Sequence, residues 1–152
     1  MSSRRPRAVM YYRISKRAKN DVRMQRKTCR DFCSKQKLRW VKEYVDSGFS
    51  GRTKNRPALK QLLRDIEEKK IEYVLIYKLD RLGRNFSYLN SLLENFEEKK
   101  IKLVSATQNF DNSTPEGKFM LRMLTILAEF ESGMTSKRIV DGLKAVGGKN
   151  GK

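Results

Sequence analysis

The sequence alternates short apolar runs with amphipathic helical stretches, and this alternation limits the folds open to it more than any other feature. Ala8-Val9-Met10-Tyr11-Tyr12 is the first run, Trp40 to Val45 the second, Tyr73-Val74-Leu75-Ile76-Tyr77 the third and Ile101 to Ser105 the fourth. Runs this short, bounded by polar and turn-forming residues, read as strands. Between them lie helical patterns. Asn20-Asp21 suits the start of a helix through Met24, Cys29 and Phe32 to about Lys37. Arg56-Pro57 opens another, with Leu59, Leu62, Leu63 and Ile66 at helical spacing. Leu89, Leu92, Leu93 and Phe96 mark a third, and Glu67-Glu68-Lys69-Lys70 and Glu97-Glu98-Lys99-Lys100 end the second and third. Strand and helix in turn predict an α/β domain: a mainly parallel sheet of about four or five strands flanked by helices. Ligands of such sheets gather at the carboxyl ends of the strands, where Arg13, Asp46 and Asp80 fall.

The last third changes character. From about residue 115 a long helix is predicted, with Met120, Leu124, Leu127, Phe130 and Met134 at gaps of three and four and with Met123 and Ile126 alongside. A stripe so wide and Met-rich predicts burial against another chain, the alternative being a helix packed wholly on its own sheet. Residues 1–146 are expected to form one unit, and Gly147-Gly148-Lys149-Asn150-Gly151-Lys152 a flexible linker.

Charge and absences narrow the chemistry. The 152 residues hold 35 Lys and Arg against 17 Asp and Glu, a formal charge of +18. Such a surplus calls for a polyanion, most commonly nucleic acid, although an anionic membrane or acidic protein meets the same electrostatics. No histidine occurs, so Ser-His-Asp, Cys-His and His-metal sites are excluded. Cys29 and Cys33 are too few for a zinc site or a disulfide framework and read as reduced packing residues one helical turn apart. No apolar run approaches a membrane span, and no apolar signal region follows the basic start, so a cytoplasmic protein is expected. Gly142 to Lys149 fails as a P-loop, since Gly148 stands where lysine is needed, and no Gly-x-Gly-x-x-Gly occurs. Neither a nucleotide nor any other cofactor is implied.

What remains is arginine beside strand ends. Arg13 and Ser15 follow the first strand, Arg56 follows the Gly48-Phe49-Ser50-Gly51 loop, and Lys78, Asp80, Arg81 and Arg84 lie in a loop after the third strand. Guanidinium groups present forked donors suited to phosphate oxygens and keep their charge. Several converging would stabilise a pentacoordinate phosphorus; the same set could hold DNA backbone without cutting it. A metal-dependent nuclease built on Asp46, Asp80 and Asp111 is a further reading, as is a non-catalytic DNA-binding module.

Tyr11-x-Arg13-Ile14-Ser15, Gln25, Ser47-Gly48-x-Ser50-Gly51 with Arg56-Pro57, and Lys78-Leu79-Asp80-Arg81-Leu82-Gly83-Arg84 resemble the catalytic domain of serine site-specific recombinases, the resolvase/invertase family. Ala128-Glu129-Phe130-Glu131 and Arg138 carry the match into the long helix, and the Asp-Ser-Gly-Phe-Ser-Gly segment is most similar to large serine integrases and transposon recombinases. The resemblance implies Ser15 as nucleophile towards a DNA phosphodiester, and Arg13, Arg56, Arg81, Arg84 and Arg138 around the scissile phosphate. Gln25, Lys78 and Asp80 would complete the site. It further implies 5′-phosphoserine intermediates on double-stranded DNA, a homodimer that becomes a tetramer, no metal, and a prokaryotic, phage or mobile-element origin. Such proteins read DNA through a separate domain, which is expected to lie outside these residues.

Overall fold

A computed structural model describes residues 4–14, 21–48, 55–83, 86–108, 110, 112–127, 130 and 141. The elements are β1 (Arg7–Ile14), α1 (Asp21–Lys35), β2 (Arg39–Ser47), α2 (Pro57–Glu68), β3 (Tyr73–Ile76), α3 (Leu79–Leu82), α4 (Phe86–Glu98) and β4 (Lys102–Ser105). A further helix, α5, covers 115–127. The described strands form one four-stranded sheet in the order β2-β1-β3-β4, with every pair parallel. Connections between parallel strands are right-handed, so the direction of travel decides which face a helix covers. Stepping from β1 to β2 puts α1 on one face; stepping back across β1 to β3, and on to β4, puts α2 and α4 on the other.

The burial follows from that winding. Val9 and Tyr11 point to the face of α2 and α4, where they meet Leu59, Leu62, Leu89 and Phe96. Ala8, Met10 and Tyr12 point the opposite way, towards Cys29 and Cys33 of α1. β1 therefore has neighbours on both edges and both faces, which is why it is apolar throughout instead of alternating. Both cysteines are free thiols, and burial pushes Cys29 up to about 12 and Cys33 to about 11. They are packing residues.

Two readings of the sequence need correction here. Arg13 was expected just beyond the first strand but lies inside it, in register with Asp46 of β2, because pairing on both sides extends β1 to Ile14. The stretch after β3, read as a loop, contains the one-turn helix α3.

Three helices end alike. Lys37, Lys70 and Lys100 occupy the left-handed region at φ of 55°, 51° and 56°. In each case the next residue sends its N–H back to the turn before: Leu38 to the Cys33 carbonyl, Ile71 to Ile66 and Ile101 to Phe96. Leu38, Ile71 and Ile101 are buried, so each is a Schellman cap whose apolar residue starts the path into the next strand. Lysine stands where glycine would be unstrained, and the left-handed conformation costs a residue with a Cβ about 1–2 kcal/mol. Lys70→Gly should therefore raise the stability to urea unfolding by about 0.5–1 kcal/mol, once the added freedom of glycine in the unfolded chain is deducted. A loss of stability would show that the lysine side chain itself supports the cap.

Candidate active site

The winding reverses between β1 and β3, so their carboxyl ends diverge into the crevice where open α/β sheets hold ligands. Arg13 reaches it from β1, and Lys78, Asp80 and Arg81 from the start of α3. Main-chain carbonyls tie the arginines together. The Arg13 Nη2 donates to the Asp80 carbonyl at 3.0 Å, and the Arg81 Nη1 returns a bond to the Arg13 carbonyl at 3.4 Å. Arg56 Nη1 in turn donates to the Arg81 carbonyl at 3.4 Å. Arg81 also lies 3.8 Å from the Asp80 carboxylate. Three guanidinium groups thus share one small volume, and each donates to a backbone oxygen there.

Arg56 is the extreme case. It is fully buried, and its Nε and Nη2 have no hydrogen-bond partner among the described residues. Its guanidinium lies 5.9 Å from the centre of the Tyr11 ring and 5.3 Å from that of Tyr88, close enough for both π faces to offset part of the cost of burying the charge. Gly83 packs beside it: a Cβ there would crowd Leu89 at 3.2 Å and meet the Arg56 Nη2 at an ordinary contact distance of 3.5 Å.

Asp46 positions this arginine. Its carboxylate accepts from the Ala58 and Leu59 N–H groups at 2.9 and 3.1 Å, filling the amino end of α2, and from the Tyr11 hydroxyl at 2.9 Å. Burial holds the Tyr11 phenol above its usual pKa, with the Asp46 charge adding to the effect and Arg56 opposing it, so Tyr11 remains a donor. A carboxylate committed to three donors is a helix anchor, and the sequence reading of Asp46 as a nuclease metal ligand is corrected accordingly. Asp111, the third residue of that reading, lies outside the described residues. No group of three or more Cys, Asp or Glu among the described residues is placed to hold a metal ion.

The remaining expected residues divide. Lys78 is exposed, with its Nζ 5.7 Å from the centre of the Tyr77 ring. Gln25 is fully buried on α1, and neither its amide nitrogen nor its oxygen has a partner among the described residues. It is not hydrogen-bonded to Arg13, Asp80 or Arg81. Ser15, Arg84 and Arg138 lie outside the described residues.

The sequence reading passed over the supports of α3. Gln108 Oε1 accepts the Leu79 N–H at 2.8 Å, and the Ser105 and Thr107 hydroxyls donate to the Tyr77 carbonyl at 2.8 and 2.6 Å. All three come from the end of β4, so the strand beside β3 fixes the turn that carries Asp80 and Arg81. The only sequence sign of this was a polar cluster directly after an apolar strand.

Comparison with known proteins places the chain in a family. The family described as "Resolvase, N terminal domain" matches residues 8–152. The chain belongs to that family. It is 39% identical over 104 residues to the transposon Tn917 resolvase of Enterococcus faecalis, covering 67% of this chain and 55% of the resolvase. It is 34% identical over 107 residues to the serine recombinase gin of Escherichia phage Mu, covering 70% of this chain and 54% of that protein. The chain thus spans about half the length of the curated relatives it matches. Among solved structures, the N-terminal catalytic domain of TP901-1 integrase superposes with a TM-score of 0.70 at 32% identity, covering 84% of this chain and 98% of that one. A resolvase family site-specific recombinase from Streptococcus pneumoniae shares the fold, with a TM-score of 0.69 at 23% identity.

Asp46 gives the test of this architecture. Asp46→Ala leaves two helix N–H groups and a buried phenol without their acceptor, and each unsatisfied buried donor costs about 1–3 kcal/mol. Urea unfolding should show a loss of about 3 kcal/mol, with Asp46→Asn losing less because one acceptor oxygen remains. A loss below about 1 kcal/mol would mean that α2 and Tyr11 are held by other contacts.

Proposed function

We propose that this chain is the catalytic domain of a serine site-specific DNA recombinase, with residues 1–146 as the catalytic unit and 147–152 as a linker. The observation that carries the reading is the meeting of Arg13, Arg56 and Arg81 at the β1–β3 crevice, where β1 ends one residue short of Ser15 in the chain. In this reading Ser15, the next residue of the chain, attacks a phosphate bound by these donors.

In the reaction proposed, the Ser15 oxygen attacks a DNA phosphorus, the bond to the 3′ oxygen breaks, and the 5′ phosphate is held as a phosphoserine ester. The 3′ hydroxyl of the exchanged strand later attacks that ester and releases Ser15. Arg13, Arg56 and Arg81, with Arg84 and Arg138, stabilise the extra negative charge on the equatorial oxygens, a form of catalysis that needs preset donors and no metal. Lys78 lies beside the same strand end and supplies further charge. Asp80 orients Arg81, which is 3.8 Å away, and Gln25 brings an amide whose hydrogen-bonding capacity is unused. The base that takes the Ser15 proton is left to solvent or Asp80.

The protein is proposed to act on double-stranded DNA as a homodimer that becomes a tetramer. The support is α5. Leu121 and Thr125 face the core, while Phe119, Met120, Met123, Ile126, Leu127 and Phe130 are all at least 47% exposed. Leu124, expected on the outer stripe, is instead partly buried against the chain's own core, because it lies on the helix next to Leu121 and Thr125. Phe119 joins the exposed face in its place, and Met134 lies outside the described residues.

The covalent step is tested directly. Wild-type protein stalled on a nicked duplex site should remain attached to DNA 5′ ends in excess chelator, and Ser15→Ala should form no adduct while still binding DNA. Arg13→Lys and Arg81→Lys should lower the adduct rate about 10²–10³-fold, since lysine keeps the charge and loses the fork. Cleavage that needs Mg²⁺ and survives Ser15→Ala would replace this reading with a nuclease.

Self-association has its own test. Sedimentation should show a concentration-dependent dimer or larger species, shifted towards monomer by Leu127→Glu. A chain that remains monomeric at high concentration would remove the oligomer from the proposal.

A further inference from the structure

The opposite end of the sheet carries a second concentration of charge that the crevice does not explain. Arg7 opens β1 and Arg39 opens β2, and the two are partners in register. Together with Arg4, Lys69 and Lys70 they line a concavity of about 550 Å³ in which Glu68 is the one acidic residue. Two of the five cations are already engaged: Arg4 with Glu72 at 3.5 Å and Lys69 with Asp65 at 3.1 Å. Arg7, Arg39 and Lys70 have no ion-pair partner among the described residues. The Arg7 Nε is moreover closed off from solvent with no hydrogen-bond partner among them. The fold itself assembles the group, because the Schellman cap of α2 turns Lys70 in beside the start of the sheet.

We propose that this concavity is a second phosphate-binding site, which takes the backbone of a DNA segment distinct from the one at the β1–β3 crevice. Arg7 and Arg13 lie near opposite ends of β1, and at about 3.3 Å per residue they are roughly 20 Å apart along the strand. Phosphates seated against Arg13 are therefore out of reach of Arg7. The lining has no aromatic ring on which a base could stack and no apolar anchor of the kind that dominates protein interfaces or membrane insertion. Forked and point cations around a polar hollow match phosphate oxygens instead. The choice of duplex DNA as the source of those phosphates rests on the recombinase reading. A free oligophosphate would offer the same chemistry.

The test is the salt dependence of binding to a short non-specific duplex, followed by fluorescence anisotropy. It needs no cleavage, so a failure to form the Ser15 adduct and a failure of this site are separately visible. Arg39→Gln combined with Lys70→Gly removes two cations while retaining a residue at 70 that accepts the left-handed backbone. Neutralising one phosphate fewer flattens the plot of log affinity against log salt by about 0.9, so the slope should fall by about 1.8 in the double variant. Lys27→Gln combined with Lys35→Gln, both exposed on α1, removes the same charge elsewhere and should leave the slope nearly unchanged. If Arg39→Gln/Lys70→Gly is unfolded by circular dichroism, Arg7→Gln/Arg39→Gln takes its place with the same expected fall.

An unchanged slope, or an equal fall in the α1 control, overturns the site. Tripolyphosphate, titrated calorimetrically in the absence of DNA, separates the two sources. Tight stoichiometric binding that the variant loses while its duplex slope stays intact would assign the concavity to a free oligophosphate and overturn the DNA assignment. A sedimentation change with an intact duplex slope would assign it to acidic side chains of a second copy, with the same consequence.

Discussion

Asp46 joins the three parts of the molecule that must agree before a site can exist. Its side chain leaves β2, fills the amino end of α2 and accepts the hydroxyl of a tyrosine on β1. A buried carboxylate with three donors is satisfied, whereas with one donor missing it becomes a liability of several kcal/mol. The bond therefore fixes where α2 begins, and Arg56 is the residue immediately before that start. The same tyrosine that donates to Asp46 presents its ring to the Arg56 guanidinium. One interaction thus orders the helix and holds a buried cation near the crevice.

That cation illustrates how the site stays positive. A buried arginine is usually neutralised by a carboxylate, and such pairing would leave little field for a substrate phosphate. Here the three forks donate to carbonyl oxygens: Arg13 to that of Asp80, Arg81 to that of Arg13 and Arg56 to that of Arg81. Carbonyl oxygens orient the forks without adding a full negative charge of their own, and the Asp80 carboxylate stands 3.8 Å from Arg81. The orienting groups belong to the backbone of β1 and α3, and α3 is itself propped by Gln108, Ser105 and Thr107 from β4. The donors are set before any ligand arrives, which is what electrostatic catalysis requires.

Much of this was legible in the residues, and the misses share a cause. The apolar runs located all four described strands because a strand buried on both faces has little choice of side chain. Arg13, Asp80 and Arg81 could be placed at one end of the sheet because parallel winding sends consecutive strand ends the same way. Asp46 was legible as a strand-end acid but not as a helix cap: its partners Ala58 and Leu59 lie across a loop, and periodicity carries no information about contacts across a loop. Leu124 was misplaced on the outer stripe for a related reason. Gaps of three and four define a face only to within a residue, and it is the position of the sheet, not the stripe, that decides which edge of the face is covered. Gln25 was named from resemblance, and its burial with an unmatched amide could not have been inferred from spacing.

The distribution of the +18 charge follows from the same winding. A parallel sheet gathers loops of one kind at each end: strand-to-helix turns at the carboxyl edge, helix-to-strand turns at the amino edge. Lysine sits in the left-handed position of three helix-to-strand turns, at Lys37, Lys70 and Lys100. Glycine there would be less strained, so the backbone alone does not account for the choice. The acids Glu67 and Glu68 precede Lys70, and Glu97 and Glu98 precede Lys100, yet carboxylates near a helix's carboxyl end oppose its dipole while lysines there favour it. Lysine in the cap therefore offsets an unfavourable run of acids and, at the same time, places charge at the amino edge of the sheet. At Lys70 that charge joins Arg7 and Arg39 in a hollow. At Lys100 it lines a smaller one with Glu97, Lys102 and Lys118, where the carboxylate sits among the cations. Two equivalent turns of one fold thus differ in what they can hold, because β1 and β2 each begin with arginine.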